Sequence, residues 1–505
     1  MESNIMENLV ETKKEDGKLE VYFKPFRDQI IGIDQEFVSP YGNKQIIYAD
    51  WTASGRLYRP IEQKMMDTIG PFVANTHTET TITGASMTQA YHRARTIIKN
   101  HVRANKDDVL ITVGTGMTGA INKLQRLLGL KISEQLLPYT EIPEHLSPMV
   151  FISHMEHHSN HTSWLETIAK VKVIPHTEDG LIGMTALENL LESHKSRPLK
   201  IVAVTACSNV TGIKTDYHQI AKIAHAHNAL CFVDFACSAP YVTMDMHPED
   251  PEAYLDAITF SPHKFLGGPG TSGILIFNKK LYRNLVPDIP GGGTVFYTNP
   301  WGDRDYIDDI ETREDGGTPG FLQAIRVALA IQLKEQMGVA NILKREAEIN
   351  AKVFGRLKKI PNLHILAAEH TDRLCIYSFY VTGCHYNLIV KLLNDRFGIQ
   401  TRGGCSCAGT YGHYLLQVDE PLSKSIEKKI IDGCLIDRPG WVRMSIHSTM
   451  TNRDIDFICD AIEAVAANYG NWGEDYVYDV LKNDYVNLKT DYMKPNITKR
   501  WFELV

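Results

Sequence analysis

Thr259-Phe260-Ser261-Pro262-His263-Lys264-Phe265-Leu266-Gly267-Gly268-Pro269-Gly270 reads as a β-branched strand end, a polar step carrying one lysine, and a glycine-rich turn. A lysine held at a strand end among apolar neighbours loses hydration. That lowers its pKa and makes the neutral amine accessible. A neutral amine is what a lysine needs in order to form an imine with a carbonyl compound.

Working outward, the same kind of junction recurs. Val109–Val113 is a buried-type strand followed by Gly114-Thr115-Gly116-Met117-Thr118-Gly119 and a helical Ala120–Leu128. Strand, glycine turn and helix start make an anion site, because the first-turn N–H groups are free and glycine admits a phosphate to the backbone. It is not a Walker motif, since no Gly-Lys-Ser/Thr follows. Pro148–Ser153 ends in His154-Met155-Glu156-His157-His158-Ser159-Asn160-His161. Neither His-Glu-x-x-His nor its inverse is present, so a histidine face over an aromatic ring is favoured and no metal is expected. Lys200–Ala206 ends at Cys207-Ser208-Asn209, Ala229–Val233 at Asp234, and Gly273–Phe277 follows the lysine turn.

Between these strands lie helical patterns at 86–104 and 216–228. Strands alternating with helices predict an α/β fold with a doubly wound, mainly parallel sheet whose ligands gather at the carboxyl ends of the strands. The polar residues named above all fall at such ends. Gly291–Gly293 and Asp315–Gly320 read as flexible loops flanking an aspartate-rich stretch. The expected division is an N-terminal arm (1–45), a large domain (46–337), a smaller α+β C-terminal domain (338–468) and an extension (469–505).

The chain has 505 residues, 43% hydrophobic and 22% charged, which suits a soluble globular protein of two or three domains. A net charge of −7 argues against general nucleic-acid or anionic-membrane binding. Nine cysteines form no dense framework, and several sit in apolar strands, so reduced thiols and a cytoplasmic setting are expected. The polar first twenty residues contain no apolar core of a signal peptide, and no run reaches the ~20 apolar residues of a membrane span.

A flat heteroaromatic ligand bearing phosphate, an aldehyde and a ring nitrogen needs a lysine, a helix N-terminus, a carboxylate and a stacking ring. Those are the needs of pyridoxal 5′-phosphate as an electron sink. Lys264, the Gly116–Thr118 turn, Asp234 and His157 supply that set.

From about Tyr48 to about Ala466 the chain resembles the class V aminotransferase group of fold-type I pyridoxal-phosphate enzymes, and within it the cysteine desulfurases and selenocysteine lyases. Ser261-Pro262-His263-Lys264 matches the Ser-x-His-Lys of that group, which implies Lys264 as the cofactor lysine with Ser261 and His263 on the phosphate. Thr115-Gly116-Met117-Thr118 matches the phosphate turn, and Glu156-His157-His158-Ser159-Asn160 implies that His157 stacks on the pyridine ring. Asn209 is implied at the cofactor's phenolic oxygen, Asp234 at the ring nitrogen. Gly317-Thr318-Pro319 is implied to reach the phosphate of a neighbouring subunit, hence a homodimer with shared active sites.

Arg402-Gly403-Gly404-Cys405-Ser406-Cys407-Ala408 resembles the desulfurases' Arg-x-Gly-His-His-Cys-Ala, which puts Cys407 on the nucleophilic cysteine. Arg443 matches the arginine that clamps the substrate carboxylate, a task for a guanidinium fork, and Arg402, Asn209 and His77 are expected beside the substrate. The implied reaction converts L-cysteine, or L-selenocysteine, to alanine and leaves a persulfide on Cys407 for an acceptor protein or small thiol. The chain departs from the pattern in three places. Cys405 and Ser406 replace two histidines, Cys237 stands where the group often has glutamine, and residues 410–437 form a long insertion. Cys405 is read either as a sulfur-relay thiol or as a passive loop residue. Another class V activity (aminotransferase, epimerase or C–S lyase) and a non-catalytic scaffold are the alternatives.

Overall fold

The computed structural model describes residues 17–489 and 496–504. Residues 1–16 of the N-terminal arm expected from sequence (1–45) lie outside the described residues, as do 490–495 and 505 of the C-terminal extension.

The strand patterns read from sequence assemble into one seven-stranded sheet. Its members are β1 (Asp108–Val113), β2 (Met149–Ile152), β3 (Lys170–Val173), β4 (Lys200–Thr205), β5 (Leu230–Asp234), β6 (Ala257–Phe260) and β7 (Gly273–Asn278), in the order β1-β7-β6-β5-β4-β2-β3. Strands β6-β5-β4-β2-β3 run parallel, whereas β7 is antiparallel to both β6 and β1.

The near-continuous apolar strands are explained by burial on both faces. Alternate residues divide cleanly between two cores. Leu110, Ile276, Ile258, Val233 and Val202 face one, and Val109, Leu275, Ala257, Phe232 and Ile201 the other. The first face is covered by helices α1 (Ile82–His101), α3 (Met184–Ser193), α4 (Tyr217–Ala226) and α5 (Phe321–Met337). The second is covered by α2 (Gly116–Leu127) and Trp164. Helix α1 starts four residues before the expected 86 because the Thr81 hydroxyl accepts from the Gly84 N–H, an N-cap the apolar periodicity does not reveal.

Beyond helix α6 (Val339–Leu357) the chain builds a four-stranded antiparallel sheet from β10 (Leu363–Ile365), β11 (Ile376–Val381), β12 (Arg402–Gly404) and β13 (Trp441–Ser445), ordered β10-β11-β13-β12. Helices α7 (Tyr386–Phe397) and α10 (Asn452–Gly473) pack against one another beside it. The insertion at 410–437 carries α8 (Gly409–Leu415) and α9 (Glu420–Ile431), and α9 buries no residue.

Three features differ from the sequence expectation. The strand expected at Gln45–Asp50 splits. Residues 42–45 pair with 36–39, while Ile47–Tyr48 pairs in parallel with Ile399–Gln400. The loop region after Gly293 contains a hairpin, β8 (Val295–Thr298) and β9 (Arg304–Tyr306). The extension forms a second hairpin, β14 (Tyr476–Asp479) and β15 (Asp484–Asn487), anchored by the Tyr476 hydroxyl on the buried Asp395 at 3.0 Å. Among the described residues no helix is long and apolar enough to cross a membrane.

Candidate active site

The carboxyl ends of β1, β2, β4, β5 and β6 converge on one cleft of about 670 Å³, whose far wall is the loop after β12 together with β13. Lys264, His157, Asn209, Asp234, Ser261, His263, Gly116, Met117, Thr118, Arg402, Arg443 and Cys407 all line it. His77 and Thr318 do not. His77 sits against Gly293, and Thr318 is exposed on its loop.

At the closed end, the Lys264 amine has no hydrogen-bond partner among the described residues. Burial holds its pKa below the ordinary lysine range. Cys237, Asp234 and Asp50 pull the other way, and Arg443 adds to the depression. Asp234 is pushed up to about 6 by burial, offset by the Ala236 N–H (2.8 Å to Oδ1) and by Lys264. A buried carboxylate facing a buried amine is an arrangement that holds a heterocyclic N–H at the carboxylate. His157 is lowered to about 4, first by burial and then by Lys264, so its ring is neutral at pH 7. Its Nδ1 accepts from the Ser159 N–H at 3.1 Å, which fixes the plane of the ring.

The anion end is built on Gly116, whose φ of +60° a side chain would resist and whose added Cβ would stand 3.0 Å from Ser261 Oγ. The Met117 N–H donates to Ser261 Oγ at 2.8 Å, and Thr118 Oγ1 lies 2.6 Å from Ser159 Oγ. The first turn of α2 and the Ser261–His263 turn thus form one cradle, at the positive end of a helix dipole.

At the open end, Arg443 is 4% exposed and contacts Asp50 Oδ1 at 2.9 Å and the Asn209 carbonyl at 3.3 Å. Asp50 Oδ2 takes Arg402 Nε at 3.1 Å, so one carboxylate bridges both arginines. The Asn209 amide donates to the Ser406 carbonyl at 2.8 Å, which ties the cysteine loop to the end of β4.

Sequence reasoning missed several residues of the cleft. Thr52 and Ala53 follow the strand that joins 399–400, Asp50 bears on the cleft through Arg402 and Arg443, and Tyr386 and Asn387 open α7. Arg438 comes from the insertion, and Asn483 from the turn of the C-terminal hairpin. The Asn483 carbonyl and amide engage Asn387 and the Tyr386 hydroxyl, so the extension forms part of the cleft wall. The histidine run has separate duties. His158 Nε2 accepts from the Gly409 N–H at 3.0 Å, His161 meets Thr410 at 3.1 Å, and His154 Nε2 reaches the Gly180 carbonyl at 3.1 Å. Among the described residues no group of three His, Cys, Asp or Glu side chains is placed to hold a metal.

Four buried polar atoms on cleft residues lack a hydrogen-bond partner among the described residues: Thr52 Oγ1, Asn209 Oδ1, Thr271 Oγ1 and Arg443 Nε. Native interiors rarely leave such groups unpaired, and their grouping here fits a polar ligand shaped to meet them.

The model of the aminotransferase class V family matches residues 47–458. The chain belongs to that family. Its cofactor is pyridoxal 5′-phosphate, and the amine, carboxylate, neutral ring and anion cradle of the cleft fit that group. A probable cysteine desulfurase of Staphylococcus epidermidis is 29% identical over 372 residues, covering 72% of this chain and 84% of the relative. One from Halalkalibacterium halodurans is 26% identical over 449 residues, covering 87% and 97%. An apo cysteine desulfurase from Thermococcus onnurineus NA1 superposes with a TM-score of 0.68 at 21% identity, covering 84% of this chain and 95% of that one. A cysteine desulfurase from Escherichia coli gives 0.67 at 21%, covering 88% and 98%. The fold is therefore that of the fold-type I pyridoxal-phosphate enzymes.

Proposed function

We propose that this family member is a cysteine desulfurase that converts L-cysteine to L-alanine and leaves the sulfur as a persulfide on Cys407. The observation that carries the reading is that Cys407, an exposed thiol from the loop after β12, opens into the same cleft as Lys264 and Arg443. The names of the curated relatives point the same way.

Bound pyridoxal phosphate supplies an electron sink that acidifies the substrate's Cα–H and weakens its Cβ–S bond. The α2 N-terminus with Ser261 and His263 would hold its phosphate, Asp234 its ring nitrogen and His157 one face. Arg443 binds the substrate carboxylate, with Asp50 and the Asn209 carbonyl setting the direction of its fork. Lys264, its pKa lowered by burial, takes the Cα proton and returns it. The Cys407 thiolate attacks the substrate sulfur. The new S–S bond forms as Cβ–S breaks, the electron pair passes to Cβ, and a proton completes the methyl group of alanine. Atoms and electrons balance, since one thiol and cysteine give one persulfide and alanine.

The same reading extends to a homodimer in which the 317–319 loop serves the neighbouring site, to a small thiol or an acceptor protein as recipient of the sulfur, and to a cytoplasmic setting. The test is to incubate holoenzyme with L-cysteine and a reducing thiol and measure alanine and sulfide together. Equal amounts are expected from the wild type, and loss of both, with cofactor absorbance retained, from Cys407→Ala. Undiminished sulfide from Cys407→Ala with pyruvate in place of alanine would sink the reading in favour of a lyase, and a sulfur-bearing 2-oxo acid with no sulfide in favour of a transaminase.

A further inference from the structure

A second thiol shares the cleft with Cys407. Cys405 and Cys407 both line it, and the chain between them is a tight turn closed by the Ala408 N–H on the Cys405 carbonyl at 3.1 Å. Its two central residues, Ser406 and Cys407, have φ of 52° and 56°. That is the primed turn geometry usually given to glycine and asparagine, and it costs roughly 1–2 kcal/mol for each ordinary residue.

Such strain persists only where the surroundings over-determine it, and it gathers at functional sites. Four contacts do so here. The Ser406 carbonyl takes the Asn209 amide at 2.8 Å, and its hydroxyl takes Trp441 Nε1 at 3.2 Å. The Cys407 carbonyl takes the His158 N–H at 2.7 Å, and the Gly409 N–H goes to His158 Nε2 at 3.0 Å. Cys405 opens this turn and Cys407 is its third residue, and the Cα atoms at the ends of such a turn lie within about 7 Å of one another, so one small, tightly held turn carries both thiols. Arg438, returning from the exposed insertion, places Nη2 3.9 Å from Cys405 Sγ. From there the guanidinium can donate a hydrogen bond to a sulfur carried on Cys405.

We propose that Cys405 is a relay thiol that takes the sulfur from the Cys407 persulfide, an inference that rests on the desulfurase reading. The Cys405 thiolate attacks the terminal sulfur of that persulfide. A new S–S bond forms to Cys405, the S–S bond to Cys407 breaks, and Cys407 departs as thiolate with the electron pair. The proton on the transferred sulfur stays where it is, and no oxidant or reductant is consumed. Cys407 is then free for a second substrate while the first sulfur waits beside Arg438.

Counting alanine tests this. Holoenzyme is mixed with L-cysteine in a rapid-quench instrument without added thiol, and alanine is measured in the first burst, before free cysteine drains the persulfides. The wild type is expected to give two alanines per subunit and Cys405→Ser one, with two and one added sulfur atoms on the intact chains. In Arg438→Gln the second alanine should slow roughly tenfold, about 1.4 kcal/mol of barrier, with little change in the first. A burst of one in the wild type, or no first alanine from a Cys405→Ser protein that still holds its cofactor, overturns the relay. No alanine from the wild type brings down the desulfurase reading itself and the relay with it.

Discussion

Arg402 and Arg443 face each other directly across the β12–β13 pair, a placement that repels unless a counter-charge stands between them. Asp50 is that charge, and Arg443 is buried enough to depend on it. Breaking a buried pair from one side costs about 3 kcal/mol or more, so Asp50→Asn should lower the unfolding free energy read from denaturant titration by that order and raise the KM for cysteine as the Arg443 fork loses its direction. Adding Arg402→Gln should recover part of the stability; an Asp50→Asn protein as stable as the wild type would show that the bridge carries no such energy. Asp50 was not legible in the sequence, whereas Lys264, Asp234 and His157 were. Those three follow directly from the strands that deliver them, so strand and chemistry are read together. Asp50 owes its role to a partner 393 residues away, and no local pattern records that distance.

Two junctions carry the cleft at the scale of elements. Glu156 joins the end of β2 to the start of the histidine turn and to β4, accepting from Ser153, Asn160 and the Thr205 N–H. Burial pushes it up to about 8 from 4.5, against those three donors. The folded protein therefore keeps this proton where the unfolded chain has lost it. The associated stability is fully present below about pH 4.5 and is lost as pH rises to about 8, at no more than ~1.4 kcal/mol per pH unit. Glu156→Gln, which mimics the neutral acid, should flatten that part of the pH–stability curve of the apoprotein; an unaltered slope would mean that Glu156 does not titrate there. The second junction is β7 against the phosphate turn. A Cβ on Gly273 would stand 2.1 Å from the Gly116 carbonyl, so Gly273→Ala should push the cradle open and weaken cofactor binding, read by absorbance titration, by tenfold or more (about 1.4 kcal/mol). The strands themselves were legible because burial on both faces writes continuous apolar runs. The antiparallel direction of β7 was not, since a buried strand reads the same either way. The β8–β9 hairpin was hidden by the aspartates and glycines around it.

For the whole molecule, what the single chain leaves uncovered is as informative as what it buries. The β8–β9 hairpin carries Phe296 and Trp301 at 86% and 84% exposure, with Leu285 at 85% on the segment before it. Large apolar side chains exposed together on one element mark a place where a protein–protein contact can form. Thr318, matched by resemblance to a residue that serves a neighbouring phosphate, lies off the cleft of its own chain and is exposed. Both observations fit a homodimer that completes each cleft from across the interface. The wild type should sediment as a dimer, and Phe296→Glu with Trp301→Glu should shift it toward monomer and loosen the cofactor. Thr318→Ala should cost roughly tenfold in cofactor affinity, the worth of one hydrogen bond to a charged group, without changing the sedimentation. Mixed dimers decide the geometry. When a Thr318→Ala subunit is paired with a Lys264→Ala subunit, the sole intact lysine lies in the subunit whose cleft receives the normal Thr318 of its partner. Its cofactor should then bind as in the wild type. If that lysine site stays as weak as in the Thr318→Ala homodimer, Thr318 acts within its own chain, and the sites are not shared through this loop.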